Sequence, residues 1–398
     1  MALFLVMESA MPWKEVATVD LRREFVRLAG SGSLDMTALC QRYGISRKTG
    51  YKWLERYALE GDPGLVDRTR CPHHQPRRSA LAVERTVLGV RQRFPDWGGR
   101  KLARVMRNEG FCEIPSPSTI TQILRRNGAL HSADQPAAKN FVRFEHQHPN
   151  DLWQMDFKGA FPLPRGLCHP LTVLDDHSRF SVCLAACQYE RTDTVKNHLI
   201  GAFERYGLPL RMTMDNGSPW GSGATHRLTQ LTAWLIEQGV TVSHSRPYHP
   251  QTQGKDERFH RTLKAELLGR RSFADLQQCQ QAFDPWRHRY NTERPHESLN
   301  MDTPIEHYQP SSRTYQRSPP GYEYAPGDHV RKVGKNMTCG FKYYNVVIGQ
   351  ALKGKRVAFR PTQQDGLYTI HFCHQRIGQI NLNNMSKRTV KNYNTMDR

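Results

Sequence analysis

The sequence has no apolar run of about 18 residues, so no membrane-spanning helix is expected. The opening stretch, residues 1–7, is apolar but short, and no basic residue precedes it, unlike a secretory signal peptide. The nine cysteines include no Cys-x-x-Cys pair, which disfavours a zinc site. Free thiols are typical of a reducing compartment, so a cytoplasmic protein is expected.

Acidic residues are scarce at both ends of the chain. Lys and Arg outnumber Asp and Glu by 23 to 14 in residues 1–140 and by 15 to 4 in residues 311–398. Residues 141–310 are balanced, at 19 to 19, although the whole chain carries a net charge of +20. This distribution predicts flanks that hold a polyanion such as DNA and a middle that acts on it. Basic surfaces without a partner are the plainer alternative.

Residues 33–57 have the pattern of a helix-turn-helix. Ala38 and Leu39 are core candidates of a first helix, and Gly44 ends it in a turn. Ile45 is expected to fill the angle between the helices, and Ser46 to cap the second helix. The segment therefore predicts a DNA-binding module, with a plain helical hairpin as the alternative.

The second helix of this module carries polar and basic residues at its exposed start. Arg47, Lys48, Thr49 and Lys52 are the candidate DNA contacts. We expect Tyr51, Leu54 and Trp53 to point inward and anchor the helix.

A second helical module is predicted at residues 80–131, after a linker rich in Pro, Gly and Arg. Pro117 marks the start of its last helix. The candidate DNA contacts on that helix are Ser118, Thr119, Gln122, Arg125 and Arg126. Two modules in tandem would read a longer site than one.

Three acids occupy positions suited to metal binding. Asp156 lies on an alternating strand, and Asp215 ends another strand just before an Asn-Gly turn. Glu257 follows Gly254 at the start of a helix. Carboxylates are the ligands that Mg²⁺ and Mn²⁺ prefer, and two such ions can catalyse phosphoryl transfer.

Three blocks surround these acids, namely MDFKG, TMDNGSPW and RPYHPQTQGKDERFHRTLK, and RYNTERPHESLNMDTPIEHY follows them. Together they resemble bacterial insertion-sequence transposases, whose DDE catalytic core is similar to that of retroviral integrases. The resemblance covers roughly residues 140–310. It implies an RNase H-like fold, with Asp156, Asp215 and Glu257 as catalytic residues that hold two Mg²⁺ or Mn²⁺ ions. The 41 residues between Asp215 and Glu257 exceed the spacing of many members, which leaves Asp256 as an alternative ligand.

Polar neighbours of these acids are predicted to assist them. Asn216 can hold a carboxylate or a water. His249, Gln251, Lys255, Arg258 and Lys264 are candidate contacts to DNA. The adjacent acids Asp175 and Asp176 are interpreted as turn caps, because paired acids at a turn usually have that role.

The predicted fold is multidomain, with α-helical helix-turn-helix modules, an α/β RNase H-like core and a small all-β barrel. The predicted divisions are 1–62 helix-turn-helix, 63–79 basic linker, 80–131 second helix-turn-helix-like module, 132–147 linker, 148–310 catalytic core, 311–320 linker and 321–398 β-barrel. The order of elements in the core comes mainly from the resemblance.

The sequence thus predicts a DNA transposase that binds the terminal inverted repeats of a mobile element and catalyses 3′-end cleavage and strand transfer. Its expected partners are double-stranded DNA, both repeat ends and target, and further copies of itself, at least a dimer on DNA. No membrane partner is expected. The protein is expected to act at the bacterial nucleoid. The alternatives are a phage- or retroelement-type integrase, a plain nuclease, and a DNA-binding regulator with an inactive nuclease-like core. No zinc module of the retroviral kind is found.

Overall fold

The computed structural model describes residues 18–32, 34–68, 78–130, 146–221, 228–244, 254–384 and 389–390. The chain forms two compact units, Met1–Arg78 and Ser79–Arg398. In the described part of the chain, no helix is both long enough and apolar enough to cross a membrane.

The first unit contains three helices, α1 Thr18–Gly30, α2 Met36–Arg42 and α3 Arg47–Glu60. Asp35 caps α2 by accepting a hydrogen bond from the Thr37 amide. Ser46 caps α3, since its Oγ accepts from the Thr49 amide at 3.2 Å. The predicted helix-turn-helix is therefore confirmed as α2 and α3, with Ser46 in the predicted capping role.

The core of this unit differs from the expectation at two residues. Leu39 is fully buried as predicted, but Ala38 is exposed. On α3 the inward anchor is Trp53, which is 6% exposed, whereas Tyr51 is 50% exposed. Gly50 determines which face of α3 packs inward, because a Cβ at this position would lie 2.8 Å from Cys40 Sγ. Tyr51 comes one residue later and is turned about 100° away from that contact.

The second unit begins with three helices, α4 Leu81–Arg93, α5 Gly99–Asn108 and α6 Pro117–Arg126. Their core is apolar and includes Val87, Trp97, Leu102 and Ile120. Pro117 is the first residue of α6, as predicted, and Ser116 caps it by accepting from the Thr119 amide at 3.2 Å. We call α4–α6 the second helical module.

A mixed sheet lies at the centre of the second unit. Its strands are β1 Leu152–Phe157, β2 Phe161–Pro162, β3 Leu167–Asp175, β4 Ser181–Cys187, β5 Arg211–Met214 and β6 Thr241–His244. The order is β2-β3-β1-β5-β6, and β4 also pairs with β3. Neighbours β1/β3 and β3/β4 are antiparallel, while β1/β5 and β5/β6 are parallel. This arrangement matches the predicted α/β core.

Helices cover both faces of this sheet. They are α7 Thr192–Tyr206, α8 Gln230–Glu237, α9 Gly254–Leu263, a π-helix Lys264–Leu268 and α10 Leu276–Thr292. On β1, Trp153 and Met155 pack in one apolar cluster with α7 and α8. Leu174 and Leu184 of β3 and β4 pack with α9 and α10 in another cluster. Asp156 alternates with Met155, so the sheet turns its side chain toward the α9 face.

The C-terminal domain is all-β, as predicted. Its strands are β7 His329–Lys332, β8 Thr338–Phe341, β9 Tyr344–Val347, β10 Arg356–Pro361, β11 Leu367–Phe372, β12 Gln375–Asn381 and β13 Thr389–Val390. One sheet has the order β12-β11-β10-β7 and the other β13-β9-β8. Among the described strands, the pairings do not join the two sheets into a closed barrel.

The C-terminal domain is docked on the free edge of the core sheet. The Gln375 side chain both donates to the Val242 carbonyl and accepts from the Val242 amide, each at 2.8 Å. The preceding segment also lies on the core, where Arg313 donates to the Gly239 carbonyl at 2.6 Å. Residues 311–320, predicted as a linker, therefore include a strap that is hydrogen-bonded to the core.

Replacing Gly50 with Val should destabilise the first unit by about 1–3 kcal/mol, because the added side chain meets Cys40 and Phe25. Thermal unfolding followed by circular dichroism measures the change. Gly89→Ala in α4 is the control, since no atom lies within 4 Å of the place its Cβ would occupy and alanine favours a helix. Equal stability of Gly50→Val and the parent chain would contradict the close packing of α3.

Candidate active site

Asp156 is held near the end of β1 by its strand partners. It pairs with Thr172 of β3, whose Oγ1 donates to the Asp156 carbonyl at 3.0 Å. On the other side β1 runs parallel to β5, with Gln154 opposite Thr213. Asp215 follows the last residue of β5, so both acids lie at the carboxyl ends of neighbouring parallel strands. That edge is where open α/β sheets commonly place their ligands.

The turn after β5 fixes Asp215. Its Oδ1 accepts from the Gly217 amide at 2.9 Å, and His244 Nδ1, at the end of β6, donates to its carbonyl at 2.7 Å. A Cβ on Gly221 would lie 2.3 Å from the Asn216 carbonyl oxygen, so only glycine fits this close approach. The predicted strand-to-turn placement of Asp215 is thus present.

The two acids at the start of α9 have opposite environments. Asp256 is fully buried, and in the described part of the chain neither carboxylate oxygen has a hydrogen-bond partner. Burial therefore raises its pKa well above the usual range. Glu257 is exposed on the same helix. Of the two alternatives, Glu257 is the carboxylate that an incoming cation can reach, and its role as ligand stays a prediction.

Asp156 is electrostatically coupled to the other two acids. Burial is the largest cause that raises its pKa to about 7, and the negative charge of Asp215 is the next. Glu190 and Glu257 add smaller contributions of the same sign. However, among the described residues no group of three or more His, Cys, Asp or Glu side chains is arranged to hold a metal ion.

Asp175 caps the turn after β3, as predicted, whereas Asp176 instead bonds to Gln154 and Lys255. Asp175 Oδ2 accepts from the Ser178 amide at 2.8 Å and from its Oγ at 2.6 Å. Asp176 accepts from Gln154 Nε2 at 2.7 Å and forms an ion pair with Lys255 at 2.6 Å. The ammonium group of Lys255, a candidate contact to DNA, is therefore engaged in this ion pair.

The candidate DNA contacts of the first unit lie at the start of α3. Arg47 and Lys48 are exposed, and Lys52 Nζ lies 4.2 Å from the centre of the Trp53 ring. The Thr49 hydroxyl is bonded to Ser46 Oγ at 2.9 Å.

On α6, Gln122 and Arg125 are exposed. The hydroxyls of Ser118 and Thr119 are bonded to Ser116, and Arg126 forms an ion pair with Glu84 at 2.7 Å. Near the acids, Arg258 and Lys264 are exposed. His249 and Gln251 lie outside the described residues.

Sequence reasoning missed His260, which supports Asp156 indirectly. The Thr172 hydroxyl uses its proton on the Asp156 carbonyl, so His260 Nε2 donates to Thr172 Oγ1 at 2.8 Å. Burial, with a smaller contribution from Lys158, lowers the His260 pKa to about 4, which keeps the ring neutral. The available signal was spacing, because His260 lies three residues after Glu257 and shares its helix face.

Comparison with family models matches residues 146–250 and 238–304 to two descriptions of an integrase core domain. Residues 146–304 are thus similar to an integrase core domain. Residues 328–388 match the C-terminal domain of IS481 family transposases, and residues 8–66 and 49–124 match homeodomain-like domains. The chain therefore combines stretches similar to three kinds of domain.

Several curated proteins are similar to this chain over part of its length. An uncharacterized protein of insertion element IS476 from Xanthomonas euvesicatoria is 28% identical over 174 residues, covering 44% of this chain and 49% of that protein. A protein of insertion element IS407 from Burkholderia multivorans is 27% identical, covering 40% and 55% respectively. A Pro-Pol polyprotein of feline foamy virus is 31% identical, covering 30% and 10%. The chain thus spans about half the length, or less, of these relatives.

Solved structures of retroviral integrases are also similar. One is the HTLV-2 integrase catalytic core domain in complex with magnesium, with a TM-score of 0.31 and 15% identity, covering 40% of this chain and 97% of that one. Another is a chain of the simian T-cell lymphotropic virus intasome, with a TM-score of 0.36 and 15% identity, covering 73% and 97%.

The raised pKa of Asp156 makes the integrase core less stable at higher pH when metal is absent. The folded state holds a proton that the unfolded chain releases above pH 3.8, so stability falls as the pH rises from about 4 to about 7. Asp156→Asn should therefore gain up to about 4 kcal/mol relative to the parent between these limits. Chemical unfolding in EDTA at several pH values measures it. A difference that does not grow with pH would show that Asp156 is solvated.

Proposed function

We propose that this protein is a DNA transposase that cleaves 3′ ends at the terminal inverted repeats of a mobile element and joins them to target DNA. The observation that carries the proposal is the coupled placement of Asp156 and Asp215 at neighbouring strand ends, with Glu257 exposed on α9. The integrase core and the homeodomain-like domains support a polynucleotidyl transferase that acts on DNA.

Asp156, Asp215 and Glu257 would hold two Mg²⁺ or Mn²⁺ ions. The fit rests on their chemistry, since all three offer oxygen ligands, and burial together with the charge of Asp215 raises the pKa of Asp156. A divalent cation relieves that repulsion and supplies charge stabilisation for phosphoryl transfer.

The chain's own side chains would keep these ligands in place. His260 and Thr172 hold the main chain at Asp156, while His244 and the Gly217 amide hold Asp215. Such supports limit the movement of a ligand when a cation or DNA arrives. Exposed Arg258 and Lys264 on the same helical segment, with His249 and Gln251, are proposed to contact the DNA backbone.

DNA recognition is assigned to α3 and α6. On α3 the proposed contacts are Arg47, Lys48, Thr49 and Lys52, and on α6 they are Ser118, Thr119, Gln122, Arg125 and Arg126. Each helix follows a capped turn and presents its first residues to solvent. Bringing two repeat ends together would require at least a dimer on DNA. The domain boundaries given above and action at the nucleoid in the cytoplasm belong to the same proposal.

Asp215→Asn should reduce metal-dependent nicking at the repeat tip by about 1,000-fold or more, because it removes a charged ligand. The test uses the purified chain, Mg²⁺ and a labelled duplex that carries the inverted repeat found beside the gene. Glu257→Gln should reduce metal-dependent nicking to a similar extent. Exposed Asp193→Asn on α7 is the matched control and should retain activity.

Two outcomes would redirect the proposal. Tight binding of the repeat by the parent chain without nicking favours a DNA-binding regulator with an inactive core. Nicking that survives in Asp215→Asn means that the metal ligands are other acids, and Asp256→Asn is then the next variant to examine.

Arg125→Ala should weaken binding of the repeat duplex about 5- to 100-fold, since an exposed arginine at the end of a recognition helix contacts a phosphate or a base edge. Fluorescence anisotropy over a range of salt concentrations measures both the affinity and the number of phosphate contacts. Arg107→Ala, an exposed arginine at the end of α5, is the control of equal charge. Equal losses in both variants would indicate a non-specific charge effect.

A further inference from the structure

Glu266 is a buried carboxylate between the second helical module and the integrase core. Only 11% of its side chain is exposed. Its Oε1 accepts from Trp97 Nε1 at 3.2 Å and from Arg294 Nε at 3.0 Å. Its Oε2 accepts from Trp286 Nε1 at 3.2 Å. Both carboxylate oxygens are therefore engaged, and a movement of Glu266 would break bonds to charged or buried donors.

The donors belong to different parts of the unit. Trp97 precedes α5 of the second helical module, whereas Trp286 and Arg294 lie on and just after α10 of the core. The Trp97 ring is 2% exposed and is stacked on Phe94, with ring centres 4.0 Å apart. The ring is fixed by its own module. The position of its N–H group, and hence the bond to Glu266, therefore depends on where that module lies.

Further ion pairs hold the same two parts together. Arg104 of α5 pairs with Asp302 at 2.7 Å, and Arg100 lies 3.5 Å from Glu297. Arg270, just after the π-helix, pairs with Asp96 beside Trp97. These contacts lie on both sides of Glu266. The module therefore packs against the helical segment that contains Glu266 and against the residues that follow α10.

That helical segment also carries Glu257. α9 and the π-helix run without a break from Gly254 to Leu268, and Glu266 lies nine residues after Glu257. At about 1.5 Å per residue, the two are separated by roughly 13 Å along one helical axis. A continuous helix is stiff over this length, so a displacement at Glu266 would move Glu257 with it.

We propose that Glu266 is a positioning residue that couples the seating of the second helical module to the placement of Glu257. The proposal rests on the proposed function, since the module is assigned the repeat DNA and Glu257 the cation. When α6 is held on its site, the Trp97–Glu266 bond fixes the α9 segment in the position needed for cleavage. DNA that does not engage the module gains nothing from this bond.

The test uses Trp97→Phe, which removes the indole N–H and retains an aromatic ring. Trp286→Phe is the matched control, because it removes an equivalent bond to Glu266 within the core alone. Nicking rates at saturating DNA are measured on the repeat duplex and on an unrelated duplex with Mn²⁺. Trp97→Phe should lower the rate on the repeat duplex about tenfold and leave the rate on the unrelated duplex unchanged. Trp286→Phe should change both rates by the same factor.

If Trp97→Phe lowers the nicking rate equally on both duplexes, the proposal is overturned and Trp97 has a purely structural role. Unchanged nicking rates on both duplexes would overturn it as well. Hydrogen exchange in residues 254–268, measured with and without the repeat duplex, separates this inference from the proposed function, because it needs no nicking. If the parent chain does not nick DNA, the proposed function fails. Slower exchange of this segment on adding the duplex in the parent chain but not in Trp97→Phe still supports the coupling, and the same response in both chains contradicts it.

Discussion

The ends of β1 and β5 must hold a half-buried carboxylate, Asp156, beside the negative charge of Asp215. Asp156 is partly buried and feels the charges of Asp215 and Glu257, so its pKa is raised to about 7. Flexible supports would let these side chains move apart into solvent. The sheet opposes such movement, because β1 is hydrogen-bonded to β3 on one side and to β5 on the other. The sheet therefore keeps a half-buried carboxylate and a neighbouring like charge at the same edge.

The surroundings of the sheet maintain this stiffness. β5 is an interior strand only because β6 covers it, and β6 in turn is bonded to the C-terminal domain through Gln375. An exposed strand edge is a site of fraying and of unwanted pairing, and the Gln375 amide occupies part of that edge as a further strand would. The C-terminal domain therefore contributes to the support of Asp215, whatever it contacts with its other faces.

Local patterns predicted much of the fold. The alternating strand at Asp156 and the helix capped by Ser46 are found as expected, because periodicity and caps are encoded by neighbouring residues. A strand such as β7 gives little local signal, since His329–Lys332 contains a single apolar residue. Ala38 and Tyr51 were wrongly assigned to the core, because the contact of Gly50 with Cys40 that sets the helix faces is tertiary. Of the site, the acids were predictable from motifs, whereas the support by His244 was not.

The contact of Trp97 with Glu266 spans 169 residues, and no local pattern could have predicted it. It also distinguishes two helical modules that look alike in sequence. Both match homeodomain-like domains, yet the second one uses a buried tryptophan and Arg104 of α5 to bind the core of its own unit. These two side chains are engaged in that interface. The proposed DNA contacts lie on the exposed face of α6, so the docking contacts and the proposed reading of DNA are divided between two helices of one small module.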